Sequence, residues 1–404
     1  MKDRLRVLII APYFAPNSEV ASVRMLSLSK YLYDQGNDVT VLCYSEEMLL
    51  RERSREDLKS PIPEYCKIVR FSLNKKNPYL ADIQNGKEFK RILSTMIDFN
   101  KYDVALITCG PYFTLDAVSV LKKAGLKVIL DFRDLGAINY RPDLRAETYA
   151  SGRIMKKIYR SIMHKLVYLR ERKAVKLSDF IIAISSIDRD YMMEAYKIDD
   201  AKIAIATNGF DEEKLRTIIP IQKASREIQI GIFGKFMYYS EKRAISILKI
   251  VNELRQQGIA IKVVHIGKKY DWIDQKIIEN GISSDCYQSL GLMDYAKGMS
   301  ILGSVDFFAV EDTSPDDIGT KIYDYIYWNK PVVAAVPSNI PLARLVQKFE
   351  FGYACDNEEE IRNAIYEIIE KKATVLDSHI NVNEYSRVHQ NSKILHFMQE
   401  IVLK

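Results

Sequence analysis

The sequence predicts an α/β protein with two doubly wound parallel sheets, one in each half of the chain. Short apolar and β-branched runs alternate with longer amphipathic runs, and this series starts again after a polar interval in the middle of the chain. Strands that are apolar on both faces are typical of parallel sheets covered by helices. Their alternation with helices is the βαβ pattern, so each half is predicted to be Rossmann-like.

The first half contains six runs that we predict to be strands. A helix predicted over residues 22–35 connects the first two, and Gly36-Asn37-Asp38 returns the chain to a strand. The predicted strands are residues 6–11, 39–43, 67–71, 104–107, 127–131 and 180–184.

The second half repeats the pattern, with a helix predicted over residues 244–257. Its predicted strands are residues 228–234, 261–267, 305–310 and 331–336, with another near Tyr353. The chain ends in a predicted helix. We therefore predict an N-terminal domain over residues 1–211, a linker over 212–227, a C-terminal domain over 228–384 and a terminal helix over 385–404.

Composition excludes several classes of protein. The 404 residues are 48% hydrophobic and 28% charged, which is typical of a globular protein. The net charge of +6 does not require a nucleic-acid partner, although it suits an anionic surface or a phosphate ligand. Five scattered cysteines without C-x-x-C spacing favour a reducing cytoplasm. We expect no signal peptide, because the first apolar run ends at Pro12, and no membrane-spanning helix.

Residues 316–325, just before the predicted strand at 331–336, are the strongest indication of function. Asp316 and Asp324 stand eight positions apart across a predicted loop-to-helix junction near residue 318. The start of a helix can bind phosphate, and a carboxylate one turn inside it can accept hydrogen bonds from a ribose diol. This spacing suits a sugar nucleotide. The alternative is that Asp316 or Asp317 caps the helix and Asp324 is a solvated helix residue.

The chain also resembles the GT-B-fold glycosyltransferases of family four, which are retaining nucleotide-sugar transferases of bacterial surface-glycan type. The similarity rests on the order and spacing of several segments along nearly the whole chain. These segments are the strand at 7–11 with Pro12-Tyr13-Phe14-Ala15-Pro16, then Asp131-Phe132-Arg133-Asp134-Leu135, residues 171–185, Thr207-Asn208-Gly209-Phe210-Asp211, Gly234-Lys235 and residues 316–333. The resemblance implies two facing Rossmann-like domains, with the terminal helix crossing back to the N-terminal domain.

The family motif of two glutamates separated by seven residues falls here on Asp316 and Asp324, each one methylene shorter. The resemblance implies that Asp316 approaches the donor sugar and its leaving phosphate, while Asp324 holds the ribose. Backbone amides of Ile318, Gly319 and Thr320 are expected to contact the diphosphate, and Gly319 permits a close approach. Lys321 either adds positive charge there or is an ordinary surface lysine.

Lys235 and Lys242 are expected to stabilise the departing diphosphate, because cations fixed there favour the transition state. Arg243 is an alternative to Lys242, which could equally be an exposed residue at a helix start. The resemblance implies no metal and no cofactor apart from the donor nucleotide sugar.

Three charged residues of the N-terminal half are further candidates. Arg24 either reaches a phosphate or an anionic acceptor, or is a helix-surface arginine. Asp134 is expected to face the cleft and to orient or deprotonate the acceptor hydroxyl. In this family the leaving phosphate is usually thought to take that proton, so Asp134 could only position the acceptor. Glu171 matches a family position, but an ordinary helix carboxylate is the simpler interpretation.

Residues 153–176 predict a helix with an apolar stripe beside basic residues. Such a helix suits an anionic membrane surface, although the stripe could equally pack on the sheet. The favoured function is a cytoplasmic retaining glycosyltransferase, free or peripheral on the membrane, that extends a glycan, lipid-linked or not, in surface polysaccharide synthesis. The alternatives are a nucleotide-sugar epimerase on the same scaffold and a non-catalytic partner subunit. No nucleic-acid partner is expected, and no G-x-G-x-x-G follows either opening strand.

Overall fold

The computed structural model describes residues 4–18, 20–52, 58–74, 81–133, 135–139, 154–223, 225–312, 318–350, 352–371 and 382–404. The chain divides into two compact units: residues 1–208 with 387–404, and residues 209–386. Each unit contains a sheet in which every described strand pairing is parallel. The predicted fold class, α/β with two Rossmann-like domains, is confirmed.

The first unit is built on a seven-stranded sheet of order β3-β2-β1-β4-β5-β6-β7. Its strands are β1 (Arg6–Ile10), β2 (Asp38–Tyr44), β3 (Lys67–Phe71), β4 (Val104–Cys109), β5 (Lys127–Phe132), β6 (Phe180–Ala183) and β7 (Ile203–Ile205). Its helices before the crossing to the second unit are α1 (Val20–Asp34), α2 (Glu46–Glu52), α3 (Ala81–Met96), α4 (Val118–Lys123), α5 (Gly136–Asn139), α6 (Ile154–Leu177) and α7 (Ser186–Tyr196).

The second unit is built on a six-stranded sheet of order β10-β9-β8-β11-β12-β13. Its strands are β8 (Ile228–Phe233), β9 (Ile261–Ile266), β10 (Tyr287–Ser289), β11 (Phe307–Val310), β12 (Val332–Ala335) and β13 (Gly352–Cys355). Its helices are α8 (Glu212–Arg216), α9 (Glu241–Gln256), α10 (Trp272–Glu279), α11 (Tyr295–Leu302), α12 (Lys321–Tyr327), α13 (Pro341–Val346) and α14 (Glu358–Glu370).

The apolar runs form the strands because both faces of each sheet are covered. Every residue of β4 and of β11 is buried, for example. In both sheets the winding reverses beside the first strand: β1 lies between β2 and β4, and β8 lies between β9 and β11. Ligands of open α/β sheets bind at the carboxyl ends of the strands at such a reversal.

The segment predicted as a linker, 212–227, is irregular only in part. It begins with α8, and Leu215 is fully buried in a cluster with Phe210 and Met299 of the second unit. The division between the units falls after Asn208 instead. The polar residues at the start of the predicted linker are positions of a short helix whose apolar residue, Leu215, is buried.

The last helix, α15 (Arg387–Leu403), belongs to the first unit, where it packs on α1. Asn391 donates a hydrogen bond to Ser27 Oγ at 3.0 Å, and the Gln390 side chain accepts one from Thr207 N at 2.9 Å. Two strands, β7 and β10, have no counterpart in the sequence prediction. Each has only three residues at a sheet edge, which is too short to show a pattern.

Candidate functional site

The turn after β8 is fixed by a close approach to the end of β9. Gly234, at φ +90°, donates from its amide to Ile266 O at 2.8 Å. Its carbonyl accepts a hydrogen bond from His265 Nε2 at 2.8 Å. A Cβ on Gly267 would lie 1.8 Å from Gly234 O, so this approach requires glycine at 267.

His265 braces that turn as a neutral imidazole. A carbonyl only accepts hydrogen bonds, so Nε2 carries the proton, and Nδ1 accepts from the Tyr287 hydroxyl at 2.7 Å. Burial lowers the pKa of His265, and the nearby cations Lys321 and Lys269 lower it further, against the Gly234 carbonyl. The turn that precedes Lys235 is therefore held by a group that carries no charge at neutral pH.

Two lysines meet at one aromatic ring beside this turn. Lys235 Nζ lies 4.1 Å from the centroid of the Tyr238 ring and 5.7 Å from that of Tyr239. Lys321 Nζ, from the first residue of α12, lies 5.5 Å from the centroid of the Tyr239 ring. The negative ring face attracts both ammonium groups. Two like charges held around one ring make this part of the second unit a suitable place for an anion.

A buried carboxylate lies behind the lysines. Glu311 follows β11 directly and is fully buried. Neither carboxylate oxygen, nor the buried Nζ of Lys321, has a hydrogen-bond partner among the residues that the structure describes. Burial raises the pKa of Glu311, and Asp312 adds to the rise. Lys321 opposes the rise, and so do the amides of Glu311 and Met237, which approach the carboxylate without meeting hydrogen-bond geometry.

Asp324, the predicted ribose ligand, lies inside α12 and is 8% exposed. Its Oδ1 accepts a hydrogen bond from the Tyr295 hydroxyl of α11 at 2.8 Å. The next residue, Tyr325, accepts a hydrogen bond from Phe233 N at 2.7 Å through its hydroxyl oxygen. These bonds fix α12 against α11 and β8, and Asp324 is a buried carboxylate rather than a solvated one.

The helix begins later than the sequence analysis expected. α12 starts at Lys321 and has seven residues, so Ile318, Gly319 and Thr320 precede it instead of forming its first turn. Glycine has low helix propensity, which accounts for a start after Gly319. The space beside Gly319 is occupied by Asp312, whose Oδ2 would lie 3.3 Å from an added Cβ.

The remaining predicted residues of the second half are not drawn into this cluster. Lys242 is exposed in the first turn of α9. Arg243, its alternative, donates to Cys355 O at 3.1 Å and to Asp356 Oδ1 at 2.7 Å, which gives it a structural role. Asp316, like Asp134 of the first unit, lies outside the described residues.

Arg24 is neither a surface residue nor an unpaired cation that could bind a phosphate. It is 5% exposed and makes two hydrogen bonds to Asp131, at 3.0 and 2.8 Å. It also donates to the carbonyls of Thr207 and Ala206 at 2.7 and 3.0 Å. The predicted donor contact of Arg24 is replaced by an ion pair that joins α1, β5 and the chain after β7.

Glu171 is fully buried and satisfied within the first unit. Its carboxylate accepts hydrogen bonds from Gly136 N at 2.8 Å, from Ala137 N at 3.2 Å and from the Tyr196 hydroxyl. Burial raises the pKa of Glu171 to about 7, although these three hydrogen bonds oppose the rise. This glutamate holds the start of α5, two residues after Asp134.

The face of α6 that points to solvent is mixed in character. Met163 and Val167 are buried as predicted for a packed stripe, but four other apolar side chains are exposed between basic ones. The exposed apolar residues are Ile162, Leu166, Leu169 and Leu177, and the exposed basic residues are Lys165, Arg172, Lys173 and Lys176. Beside them is a cavity of about 220 Å³ whose charged lining residues are Lys90, Lys173 and the ion pair of Arg170 with Asp116, at 3.2 Å.

The described residues contain no helix both long and apolar enough to cross a membrane. They also contain no group of three or more His, Cys, Asp or Glu side chains that could hold a metal ion. The triplet Asp188-Arg189-Asp190 lies in α7, where Asp188 is buried and accepts from the Ser185 hydroxyl.

The sequence analysis missed three contributors to the site: Glu311, Tyr239 and His265. A charged residue directly after an apolar strand was a usable signal for Glu311, because the carboxyl ends of parallel strands meet at one edge. His265 lies inside a predicted strand, and nothing in the sequence indicates its bond to Gly234. Tyr239 lies in a loop whose path only the structure defines.

Comparison with protein families matches residues 21–214 to the family described as "Glycosyltransferase Family 4". No curated protein sequence matches the chain. The matched segment covers most of the first unit, including Arg24, Asp131 and Glu171.

Solved structures match over almost the whole chain. A glycosyltransferase from Rickettsia africae is 17% identical at a TM-score of 0.64, with 99% of each chain covered. The HepE protein of Anabaena, in complex with UDP and glucose, is 15% identical at a TM-score of 0.60, covering 98% of this chain and 100% of HepE. A Listeria monocytogenes protein described as a UDP-N-acetylglucosamine 2-epimerase is 12% identical at a TM-score of 0.58, with 98% and 97% covered. These similarities show the same fold, two parallel α/β units of GT-B type.

Proposed function

We propose that this family-four glycosyltransferase of GT-B fold moves a sugar from a nucleoside diphosphate to a hydroxyl of a growing glycan, in surface polysaccharide synthesis. The observation that carries the proposal is the buried, unpartnered ammonium of Lys321 beside Lys235, among the described residues at the carboxyl ends of β8 and β11. An ammonium buried without a hydrogen-bond acceptor is costly unless a ligand supplies one.

A diphosphate fits this position chemically. When the sugar–phosphate bond breaks, negative charge grows on the leaving diphosphate, and cations fixed beside it stabilise the transition state more than the ground state. Lys235 and Lys321 come from two different strand ends that flank the reversal in winding, where ligands of such sheets bind. Since HepE was solved with UDP, a uridine nucleotide is the first donor to test.

The other predicted residues take roles around the diphosphate in this proposal. Asp324 accepts hydrogen bonds from the ribose hydroxyls, and Asp316 approaches the donor sugar. The amides of Ile318, Gly319 and Thr320 contact the phosphates, and Lys242 supports them if its side chain reaches the ligand. Transfer retains the anomeric configuration, with the leaving phosphate taking the acceptor proton and Asp134 positioning the acceptor. No metal or further cofactor takes part.

The donor site is tested by a thermal-shift screen of UDP-, GDP-, ADP- and dTDP-sugars, because a ligand that binds only the folded protein raises its melting temperature. The matching variant is Asp324→Ala, which should lose binding or turnover while remaining folded by circular dichroism. Glu350→Ala, an exposed carboxylate of the same unit, is the control and should behave as wild type. Full turnover by Asp324→Ala would refute this assignment of the site.

An epimerase is the second candidate, since the Listeria protein shares the fold. Incubation of a labelled nucleotide sugar without any acceptor separates the two activities. An epimerase converts the sugar while it remains on the nucleotide, whereas a transferase leaves it unchanged until an acceptor is added. Titration with the four nucleotides tests the non-catalytic alternative, which predicts no binding at all.

The acceptor side of the proposal concerns α6. Its exposed leucines and lysines, with the basic cavity beside them, suit the cytoplasmic face of an anionic bilayer that holds a lipid-linked glycan. Flotation with phosphatidylglycerol vesicles should recover the protein, and phosphatidylcholine vesicles should not. Leu166→Gln with Leu169→Gln should reduce recovery, while Leu292→Gln, an exposed leucine of the second unit, should not. Equal recovery with both lipids would exclude an electrostatic membrane contact.

A further inference from the structure

Two charged groups near the end of β11, the Glu311 carboxylate and the Lys321 ammonium, are buried without hydrogen-bond partners among the described residues. We propose that Glu311 takes up a proton when the donor diphosphate binds beside Lys321, so that donor binding and protonation of this carboxylate are linked. This inference rests on the proposed function and adds a regulating group to the same site. It gives a role to a residue that the sequence motif does not include.

The first support is the position of Glu311. It follows the last residue of β11, has no exposed surface, and neither of its carboxylate oxygens has a hydrogen-bond partner among the described residues. Buried carboxylates are normally paired or hydrogen-bonded, as Asp131 and Glu171 of the same chain are. Burial raises the pKa of Glu311, because it penalises the ionised form of a carboxylate whose oxygens have no hydrogen-bond partner.

The second support is that one cation supports its ionised form. Lys321 is the largest influence that opposes the rise in the pKa of Glu311, and its ammonium is itself buried without a hydrogen-bond acceptor among the described residues. The other opposing groups are neutral backbone amides, those of Glu311 and Met237. The ionised form of Glu311 is therefore stabilised mainly by its electrostatic attraction to the Lys321 ammonium.

The remaining ionisable groups around Glu311 do not replace Lys321. Asp312, the next residue, repels the charge on Glu311. Tyr325 of α12 is neutral, because burial, Glu311 and Asp324 all raise its pKa. His265 of β9 is neutral because burial and Lys321 lower its pKa. Lys235 lies on the other side of this cluster, with its ammonium 4.1 Å from the centroid of the Tyr238 ring and 5.7 Å from that of Tyr239.

A bound diphosphate changes this balance in one direction. Its oxygens become the acceptors of the Lys321 ammonium, so the field of that cation is shared with at least two new negative charges. The same charges repel an ionised Glu311 through a medium of low effective dielectric. Both effects favour the neutral acid, and a proton passes from solvent to a Glu311 oxygen without any covalent change in the donor. Uptake of a proton on binding requires donor affinity to fall as pH rises.

Calorimetric titration of the full chain with UDP measures this proton directly. The same titration in buffers of different ionisation enthalpy, at about pH 6.5, 7 and 7.5, gives the number of protons taken up per UDP bound. The terminal phosphate of UDP titrates near pH 6, so its contribution is removed by comparing wild type with Glu311→Gln, which has nearly the same shape and no charge to lose. Glu279→Gln, an exposed glutamate of α10, is the matched control.

We expect wild type and Glu279→Gln to take up more protons than Glu311→Gln, by as much as one per UDP, and their affinity to fall more steeply with pH. Equal uptake in all three proteins would overturn the inference while leaving the proposed function intact. If no nucleotide of the UDP, GDP, ADP and dTDP set binds wild type, the proposed function fails and the inference fails with it.

Should Glu311→Gln not fold, wild type alone decides the question by a comparison of UDP with uridine. Uridine lacks the diphosphate, so it should bind without uptake of a proton, whereas UDP at about pH 7.5 should still take one up from solvent through the protein. Uptake that is equal for both ligands, or absent for both, would overturn the inference. A purely structural Glu311 would affect stability but not the proton count.

Discussion

The two sheets differ in how they treat the charges buried at their carboxyl ends. In the first unit, Asp131 is joined to Arg24 by two hydrogen bonds, and Glu171 accepts bonds from two amides and a hydroxyl. In the second unit, the Glu311 carboxylate and the Lys321 ammonium are buried without a hydrogen-bond partner among the described residues. The first arrangement is satisfied within the protein, whereas the second leaves a carboxylate and an ammonium without hydrogen-bond partners in the part of the chain that the structure describes.

In our proposal, this difference is one between charges that stabilise the fold and charges that bind a ligand. Removing one partner of a satisfied buried pair leaves the other unpaired, so the cost appears in stability. Removing an unsatisfied group takes away a liability of the unliganded protein, so the cost appears in ligand affinity. The same type of substitution should therefore have opposite consequences in the two units.

The largest effect is expected for Arg24→Met. Asp131 then remains buried without its cation, and the carbonyls of Ala206 and Thr207 lose their donor. We expect the free energy of unfolding of the first unit to fall by about 3–5 kcal/mol. Urea denaturation measures it, with Arg4→Met as control, since Arg4 pairs with Asp38 at the surface. Loss of UDP binding without any loss of stability would reverse the comparison and return Arg24 to the donor site.

A smaller effect is expected for Glu171→Gln, and it depends on pH. The pKa of Glu171 is raised from 4.5 to about 7 in the folded protein, so the folded state binds its proton more tightly than the unfolded chain. The stability that this group contributes is present below about pH 4.5 and is lost as pH rises through about 7, by about 3 kcal/mol at most. The free energy of unfolding of wild type should therefore fall by up to this amount, relative to that of Glu171→Gln, as pH rises from about 4.5 to above 7. Denaturation at several pH values measures it, and Glu194→Gln, an exposed residue of α7, should follow wild type. A pH-independent difference would show that the three hydrogen bonds outweigh burial.

The smallest change in free energy is expected for Lys321→Met, and it should appear in binding. Loss of one charge-assisted hydrogen bond to a diphosphate corresponds to about 1.5–3 kcal/mol, or roughly 10- to 100-fold weaker UDP binding. The stability of the second unit should change by less than about 1 kcal/mol, because no hydrogen bond of the ammonium to a described residue is broken and Glu311, which loses the field of this cation, can take up a proton. Lys297→Met, an exposed lysine of α11, is the control. Unchanged affinity together with a large loss of stability would make Lys321 a structural residue like Arg24.

The fold could be predicted from the sequence because the patterns that indicate its strands and helices are local. Parallel strands are indicated by apolar runs such as Val104–Cys109 and by the glycines in the turns that lead from a helix to the next strand. Both patterns can be recognised without knowledge of tertiary contacts. The boundary between the two units was harder to predict, because the burial of Leu215 depends on contacts with residues distant in sequence within the second unit. The site was accessible in part: the chain near Asp324 and Lys321 was recognised, whereas Glu311 required knowledge of which strand ends lie together.

The sequence by itself determined two parallel α/β units and a charged segment suited to a nucleotide sugar. These follow from residue type and spacing along the chain. Tertiary structure alone decided that Arg24 pairs with Asp131 and that the buried ammonium of Lys321 lies near Glu311 and the Tyr239 ring. The reason is physical: the role of a charge depends on its burial and on its partners in space, and those partners are up to 183 positions apart in the chain.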